Sequence, residues 1–533
     1  MGEAWPVCGL EHCCGVRIPD FDHCLRHLEP GQRDEYFDGL SLGAEVDLRG
    51  TELSGELIEK LVDAVGSIDG RRAEFGRAEF AGARFPGPVA FEDVTFFDAD
   101  FTNARFEGGA RFDKAGFRDS TTFHRAWFGG PVSFRDCAFE EVGFTTATFS
   151  GDTAFDRAKF TSDVSFSRQT FGAVSFGETE FAGEAGFGSS RFTGRATFTG
   201  AKFAAAAMFD GAVFDDDARF DDAAFDGEAT FDGVRFHAEA RFQGAVFTAA
   251  ERFGPVSAER LDFGRATFRR RITLFAASPS MDCFETRFEE GVTLRLVRQS
   301  MLGLERSVFG KASTVTGAAS VTSVEGVDVA DLVFTDVDLA DCCFAGAHHL
   351  DKLRLEGDCT FGSYGNRQVL AEERAWRSRR DAPVGPRRIA DLYRQLRKAQ
   401  EDSKNEPGAA DFYYGEMEMR RHSPATPWSE RVILHLYWLV SGYGLRALRA
   451  LATLAVLIAV VSTSIWLGGF KTTPAFGDTL VYVAQSTVSL ETKLASLPKD
   501  LTPLGEVLRL VTRVFGPLLL GLTLLAVRNR VKR

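Results

Sequence analysis

Four side chains near the start of the chain carry the clearest chemistry. The stretch CGLEHCCGVRIPDFDHCLRH gives Cys8-x4-Cys13, a gap of ten residues, then Cys24-x2-His27. Structural zinc takes four sulfur or nitrogen ligands in a tetrahedron, and two ligand pairs at such spacings supply them. Cys14, His12 and His23 are close enough in sequence to substitute. No carboxylate stands ready to act and no open coordination position can be argued, so the expected site is structural, with zinc as its metal.

The other reactive residue types fall into patterns that favour solvation or packing. Asp215, Asp216, Asp217, Asp221 and Asp222 make a candidate acidic interaction face, interrupted by Arg219, Arg235 and Arg241. The alternative reading of these acids is a solvated face. Cys137 occupies a small, inward position before Phe139, and His348-His349 reads as part of an end cap. No GxxxxGK[ST] loop, HExxH motif or GxSxG elbow occurs, so no enzyme is expected. The net charge of −13 argues against general nucleic-acid binding. The opening MGEAWPVCGLEHCC has neither a basic start nor an apolar run. The N-terminal part is therefore expected in the cytoplasm, where disulfides are not.

These residues must be positioned by an unusual scaffold. Of 533 residues, 50 are Phe against 8 Tyr and 6 Trp. Phe recurs at 75, 80, 85, 91, 96, 101, 106, 112 and 117 and continues at steps of five or six to 253. Neither 3.6 nor 2.0 divides that pattern. Two positions before most of them stands a small residue, as at Ala73, Ala78, Ala83, Ala99 and Ala104. Each unit reads small-x-Phe-x-x and cannot bury its Phe alone, whereas stacked coils can.

This pattern resembles the pentapeptide-repeat family, and VDVADLVFTDVDLADCCFAGA (327–347) follows the family consensus more closely, with Leu332, Phe334, Leu339 and Phe344. The resemblance implies an all-β, right-handed, quadrilateral β-helix, with each unit forming one side. The frequent sixth residue reads as a wider corner, giving about 22 residues per coil and roughly nine coils over 73–268. Some members of that family resemble DNA and bind topoisomerases, which would assign the Asp215–217 and Asp221–222 face to a DNA-mimic inhibitor. A membrane-bound chain argues against that role.

Both ends of such a solenoid need caps. VDLRGTELSGELIEKLVDAV (46–65) reads as an opening coil and an amphipathic helix with Leu57, Ile58, Leu61 and Val62 on one side. The period blurs over 254–325, where irregular coils are expected. The predicted organisation is a Cys/His-rich segment (1–38), a cap (39–72), the β-helix (73–365), a helical linker (366–430) and a membrane module (431–533). The linker reads as two helices broken at Asn405-Glu406-Pro407-Gly408, the first with Ile389, Leu392, Tyr393 and Leu396 on one stripe.

Between Arg449 and Lys471 no residue is charged, a run of about 21 residues or roughly 31 Å, enough to span a bilayer. Tyr437, Trp438, Tyr443 and Trp466 flank it as interface aromatics do. The second expected span, about 505–527, carries Arg509 and Arg513 in its outer part. Arg446 and Arg449 precede the first span, and Arg528, Arg530, Lys532 and Arg533 follow the second, so both ends are expected in the cytoplasm of an inner-membrane protein. An apolar segment at about 479–490 is too short to cross and reads as re-entrant.

Span, short helix, loop and span, with a Gly516-Pro517 hinge, resemble the pore module of two-span potassium-channel-like proteins, and FYYGEMEMRR and GPLLLGLTLLAVRNRVKR resemble bacterial pentapeptide-repeat membrane proteins that carry one. The resemblance implies a homotetramer and places the filter at Thr487, Val488, Ser489, Leu490 and Glu491. Both filter glycines are missing there, which argues against potassium selectivity. The expected function is a membrane protein whose cytoplasmic β-helix is scaffold or sensor for a pore-type module. The alternative is a membrane-tethered scaffold that recruits a cytoplasmic protein partner and transports nothing.

Overall fold

The computed structural model describes residues 5–66, 72–378, 384–472, 474–488 and 501–531. The chain divides into two units. The first takes in Met1–Cys342, Gly346–His348 and Glu356–Thr360, and the second Cys343–Ala345, His349–Leu355 and Phe361–Arg533.

The first unit is a parallel β-solenoid of about 13 turns, built on a 13-stranded sheet that starts with β1 (Ala44–Asp47). Phe75 stands in register with Phe96 and Phe96 with Phe117, one coil apart. The Phe side chains form four inward columns. One runs from Phe75 through Phe96, Phe117 and Phe139 to Phe309, with ring centroids 4.7–5.5 Å apart and nearly parallel planes. The other three start at Phe80, Phe85 and Phe91 and stack in the same way. Most of these Phe also meet the next column edge-on, as Phe91 does Phe96. Four columns are what a four-sided coil requires, and the rings are almost wholly removed from water. Each buried Phe contributes roughly 2–3 kcal/mol.

Two kinds of corner explain the alternating steps. At most five-residue steps the second residue after Phe takes a left-handed backbone, as at Asn103, Lys114, Asp136 and Arg157. At six-residue steps the extra residue enters a bend such as Glu107-Gly108 between Phe106 and Phe112. A Cβ on Gly108 would lie 2.4 Å from the Gly87 carbonyl carbon one coil earlier, so stacking itself excludes a side chain there.

After Phe268 the coil changes. Leu274, Met281, Leu294, Leu296, Leu302 and Val315 replace most Phe in the core, and strands lengthen to Val292–Gly303 and Ser313–Ser323. This is the irregular stretch expected over 254–325. His348 pairs by its backbone with Asp328, and His349 takes a left-handed backbone before a short 3-10 turn at Leu350–Lys352.

At the N-terminus α1 (Pro30–Asp38) and α2 (Gly55–Ala64) accompany the first coil. The Ser54 hydroxyl caps α2 by accepting the Leu57 amide, and Leu57, Ile58 and Leu61 are buried.

The second unit opens with an antiparallel hairpin, Gly362–Tyr364 with Arg367–Val369. Helices α3 (Ala371–Arg377), α4 (Pro386–Asp402) and α5 (Glu406–His422) follow. Ile389, Leu392, Tyr393 and Leu396 form the buried stripe of α4, and Asn405 caps α5 by accepting the Gly408 amide. Then come α6 (Trp428–Ser441), α7 (Ala447–Gly468), α8 (Phe476–Thr487) and α9 (Pro503–Val531).

Candidate metal centre and membrane module

The N-terminal segment folds into a knuckle. An antiparallel bridge joins Val7 to Val16, the Cys8 amide donates to the Gly15 carbonyl, and the Cys13 amide closes a turn on Leu10. Opposite it, Cys24 precedes the 3-10 turn Leu25–His27, and the x2 spacing brings Cys24 and His27 onto one side of that turn.

The ligand atoms of Cys8, Cys13, Cys24 and His27 all lie within 4.8 Å of one another. Cys13 Sγ is 3.7 Å from Cys24 Sγ, and His27 Nδ1 is 3.4 Å from Cys24 Sγ and 3.6 Å from Cys8 Sγ. A zinc tetrahedron with Zn–S of about 2.3 Å and Zn–N of about 2.1 Å has S···S edges near 3.8 Å and S···N edges near 3.6 Å. Three of the six edges therefore stand at tetrahedral spacing, and the remaining ones lie within 4.8 Å. Burial raises the Cys8 thiol, but the Leu10 and Cys24 amides and the His27 and His23 rings outweigh it and bring it down to about 6. Burial first, then the neighbouring Cys13 thiol, pushes Cys24 up to about 12. Thiols this crowded cannot all ionise without a cation between them. Of the alternative ligands, His12 and Cys14 are exposed outside the cluster, while His23 Nδ1 lies 3.8 Å from Cys8 Sγ.

Residues 101–148 and 187–235 match the family of Pentapeptide repeats (9 copies). Both matched stretches lie within the solenoid. No curated protein and no solved structure matches the chain.

Along the solenoid surface, acids are paired across coils. Asp215 pairs with Arg191 at 2.8 Å and His237 at 3.1 Å, Asp217 with Arg195 at 3.8 Å, and Asp221 with Arg241 at 3.6 Å. Asp216 accepts the Asp217 amide, and Asp222 is a left-handed corner residue. The row is thus not a continuous stripe of negative charge. Cys137 is buried and donates its S–H to the Phe112 carbonyl at 2.9 Å, a core role.

Among the described residues two helices are long and apolar enough to cross a membrane: Ala447–Gly468, with mean hydropathy 2.2, and Pro503–Val527, with 2.0. Much of both is uncovered, Leu448 and Leu467 being 73% and 71% exposed and Leu510 and Leu524 64% and 63%. Their covered faces meet α8. Val461, Ile465, Phe470 and Val483 form one buried cluster with Leu457, Ile458, Tyr482, Leu501 and Leu508 around it. At one end Thr502 Oγ1 donates to the Gly468 carbonyl at 2.8 Å. At the other, a Cβ on Gly516 would lie 2.6 Å from Thr487 Cα, so Gly516 lets α8 end against α9. Thr487 is buried and its hydroxyl donates to the Ala484 carbonyl, while Val488 is half exposed. Ser489, Leu490 and Glu491 lie outside the described residues. Pro517 sits inside α9, which is continuous from Pro503 to Val531.

A buried polar network, not foreseen from the sequence, ties the linker together. Glu373 is fully buried and is held by Arg367, by Arg377 Nε at 2.6 Å and by the Tyr393 hydroxyl, which donates at 2.5 Å. Glu418 accepts from Arg421 at 2.8 Å, Arg377 at 3.4 Å and the Tyr443 hydroxyl at 3.1 Å. Burial and the Glu373 charge push Tyr393 well above its ordinary value.

Proposed function

We propose that the protein is an integral membrane protein that holds a pentapeptide-repeat scaffold at the cytoplasmic face of a membrane and recruits a protein partner to it. The observation that carries this reading is the uncovered apolar surface of α7 and α9, since water-soluble chains rarely leave Leu448, Leu467, Leu510 and Leu524 together in solvent. Arg446 and Arg449 before the first span and the basic C-terminus after the second support a cytoplasmic side for both ends by the positive-inside rule. The solenoid surface offers paired charges and packed corners rather than a catalytic constellation, which favours binding over catalysis. The neutralised Asp215–222 row disfavours nucleic-acid mimicry. The Cys8, Cys13, Cys24 and His27 cluster is assigned to structural zinc, on the closeness of its four ligand atoms, all within 4.8 Å of one another.

One observation favours a second reading, a pore of the two-span type formed by a homotetramer. The short α8 is wedged between the spans and abuts Gly516, as a re-entrant element would. The test is conductance of the full-length protein in a planar bilayer under opposed potassium and chloride gradients, with insertion checked by protease protection. Silence from correctly inserted protein is the expected result. Unitary steps would replace the scaffold reading by the pore. Release of the native protein from membranes by alkaline carbonate would overturn both.

A further inference from the structure

We infer that the metal knuckle is the N-terminal lid of the solenoid, and that zinc in it keeps the first coil closed. The inference rests on the zinc reading of the cluster. Strand β1 is the outermost of its sheet and pairs on one side only, with Glu74–Glu79. An edge of this kind templates further strands unless something covers it. The knuckle covers the corner that follows β1. The Val16 amide donates to the Arg49 carbonyl at 2.7 Å, satisfying an outward group of the first coil. A Cβ on Gly50 would lie 2.4 Å from the Cys14 carbonyl oxygen, so knuckle and coil touch backbone to backbone. Gly15 is wedged between the two, where a Cβ would lie 2.9 Å from Thr51 Oγ1 and 3.1 Å from Cys24 Sγ. Arg26 forms an ion pair with Glu52, and the Trp5 indole donates to the Cys14 carbonyl while the Arg49 guanidinium lies over its ring.

The contacting residues are the ligands' own neighbours. Cys14 and Gly15 follow Cys13, and Arg26 lies between Cys24 and His27. Ligand geometry therefore sets lid geometry. Among its described residues, 5–28, the lid contains no helix longer than a single 3-10 turn, and so short a segment rarely holds its shape without a cross-link or metal. Removing zinc should free the lid, expose the Arg49 carbonyl and the corner after β1, and allow chains to associate through them.

The test uses purified full-length protein in detergent. Metal content by inductively coupled plasma mass spectrometry should give one zinc per chain, lost in Cys24→Ser and kept in Cys14→Ser. Zinc is then stripped from the wild type by a chelator and restored, and amide exchange is followed by mass spectrometry. Peptides covering 44–53 should exchange about 10-fold faster or more without zinc, reversibly, while those covering 225–247 stay unchanged. Light scattering should show concentration-dependent association only after stripping. No zinc as purified, and none taken up by the reduced protein from micromolar zinc chloride, would overturn the metal reading. One zinc per chain whose removal leaves 44–53 equally protected would overturn the lid and leave the metal site standing. The wild-type arm keeps the test decisive if Cys24→Ser does not fold.

Discussion

Phe134→Ala should open the solenoid locally, and its size can be worked from the stack. Phe134 is fully buried, with Phe112 at 4.9 Å and Phe155 at 5.0 Å in the coils on either side. It also meets Phe123 and Phe144 edge-on at 5.6 and 5.9 Å. Truncating a buried Phe to Ala costs about 3–5 kcal/mol, within which the two stacked neighbours account for roughly 1–3 kcal/mol. A repeat interacts only with its neighbours, so the cost falls on adjacent coils. The coil ladder there runs from the Phe112 amide to Ser133 and from the Phe134 amide to Ala154, at 2.8 and 2.7 Å. At about 1.4 kcal/mol per tenfold, these amides should exchange roughly 100- to 3,000-fold faster. Amides from Phe225 to Phe247 should not change. Hydrogen exchange of the full-length protein in detergent reads both. An equal rise in the distant coils would show that the solenoid opens as one block. No rise near Phe134 would show that the stacked columns do not hold it.

Two further outcomes follow from single atoms. Gly516→Val places carbon where Thr487 Cα already stands, 2.6 Å from an ideal Cβ, so α8 must leave α9. Overpacking of this kind costs about 1–3 kcal/mol, and thermal unfolding in detergent should shift down accordingly; an unchanged midpoint would mean that the two helices are not in contact. Glu372 is buried, and burial raises its carboxyl although the Phe344 and Ala345 amides donate to it and lower it, leaving a net rise. A carboxyl raised in the native state binds a proton that the unfolded chain has released. Stability is therefore greatest below the ordinary carboxylate range and falls as pH climbs through the raised native value. Glu372→Gln should flatten the acid-to-neutral slope of denaturant unfolding, and a variant slope equal to the wild type would refute the assignment.

The Phe columns were legible because their period is the coil itself. Each side needs one large inward residue, and the sixth residue marks the wider corner, as between Phe106 and Phe112. The Cys8, Cys13, Cys24 and His27 cluster was legible because short spacings such as Cys24-x2-His27 close within one turn. Contacts that bridge coils were not. Asp156 accepts the Gly177 amide at 3.1 Å, and Asp210 accepts from Thr230 and the Asp232 amide at 2.8 Å, partners about one coil away in sequence. The same separation hid the pairing of Asp215 with Arg191, which reads in the sequence as one acid among acids. Glu373 and Glu418 read as ordinary polar helix positions, because only tertiary packing brings Arg367, Arg377, Tyr393 and Tyr443 to them. Helix α8 begins at Phe476, before the apolar run expected from 479, because Asp478 is tolerated in its first turn, where the helix dipole favours an acid.

The two units use charge in opposite ways, and this bears on what each can tolerate. Coil-to-coil ion pairs such as Arg135–Asp156 and Lys159–Glu180 stand partly in solvent, where a pair is worth about 0–1 kcal/mol. The solenoid surface can therefore change its charges with little loss of stability. The linker buries its charges instead. Glu373 has no exposed surface, and leaving such a charge without its partner costs about 3–5 kcal/mol. Few alternative packings satisfy Arg367, Arg377 and Tyr393 around one carboxylate at once. Glu418 extends the constraint, since it holds Arg377 at the end of α3 and also Tyr443, in the turn before α7. The start of the first apolar span is thus fixed to α3 through one carboxylate, and a shift of α3 relative to Tyr443 must break either an ion pair or a buried hydroxyl bond.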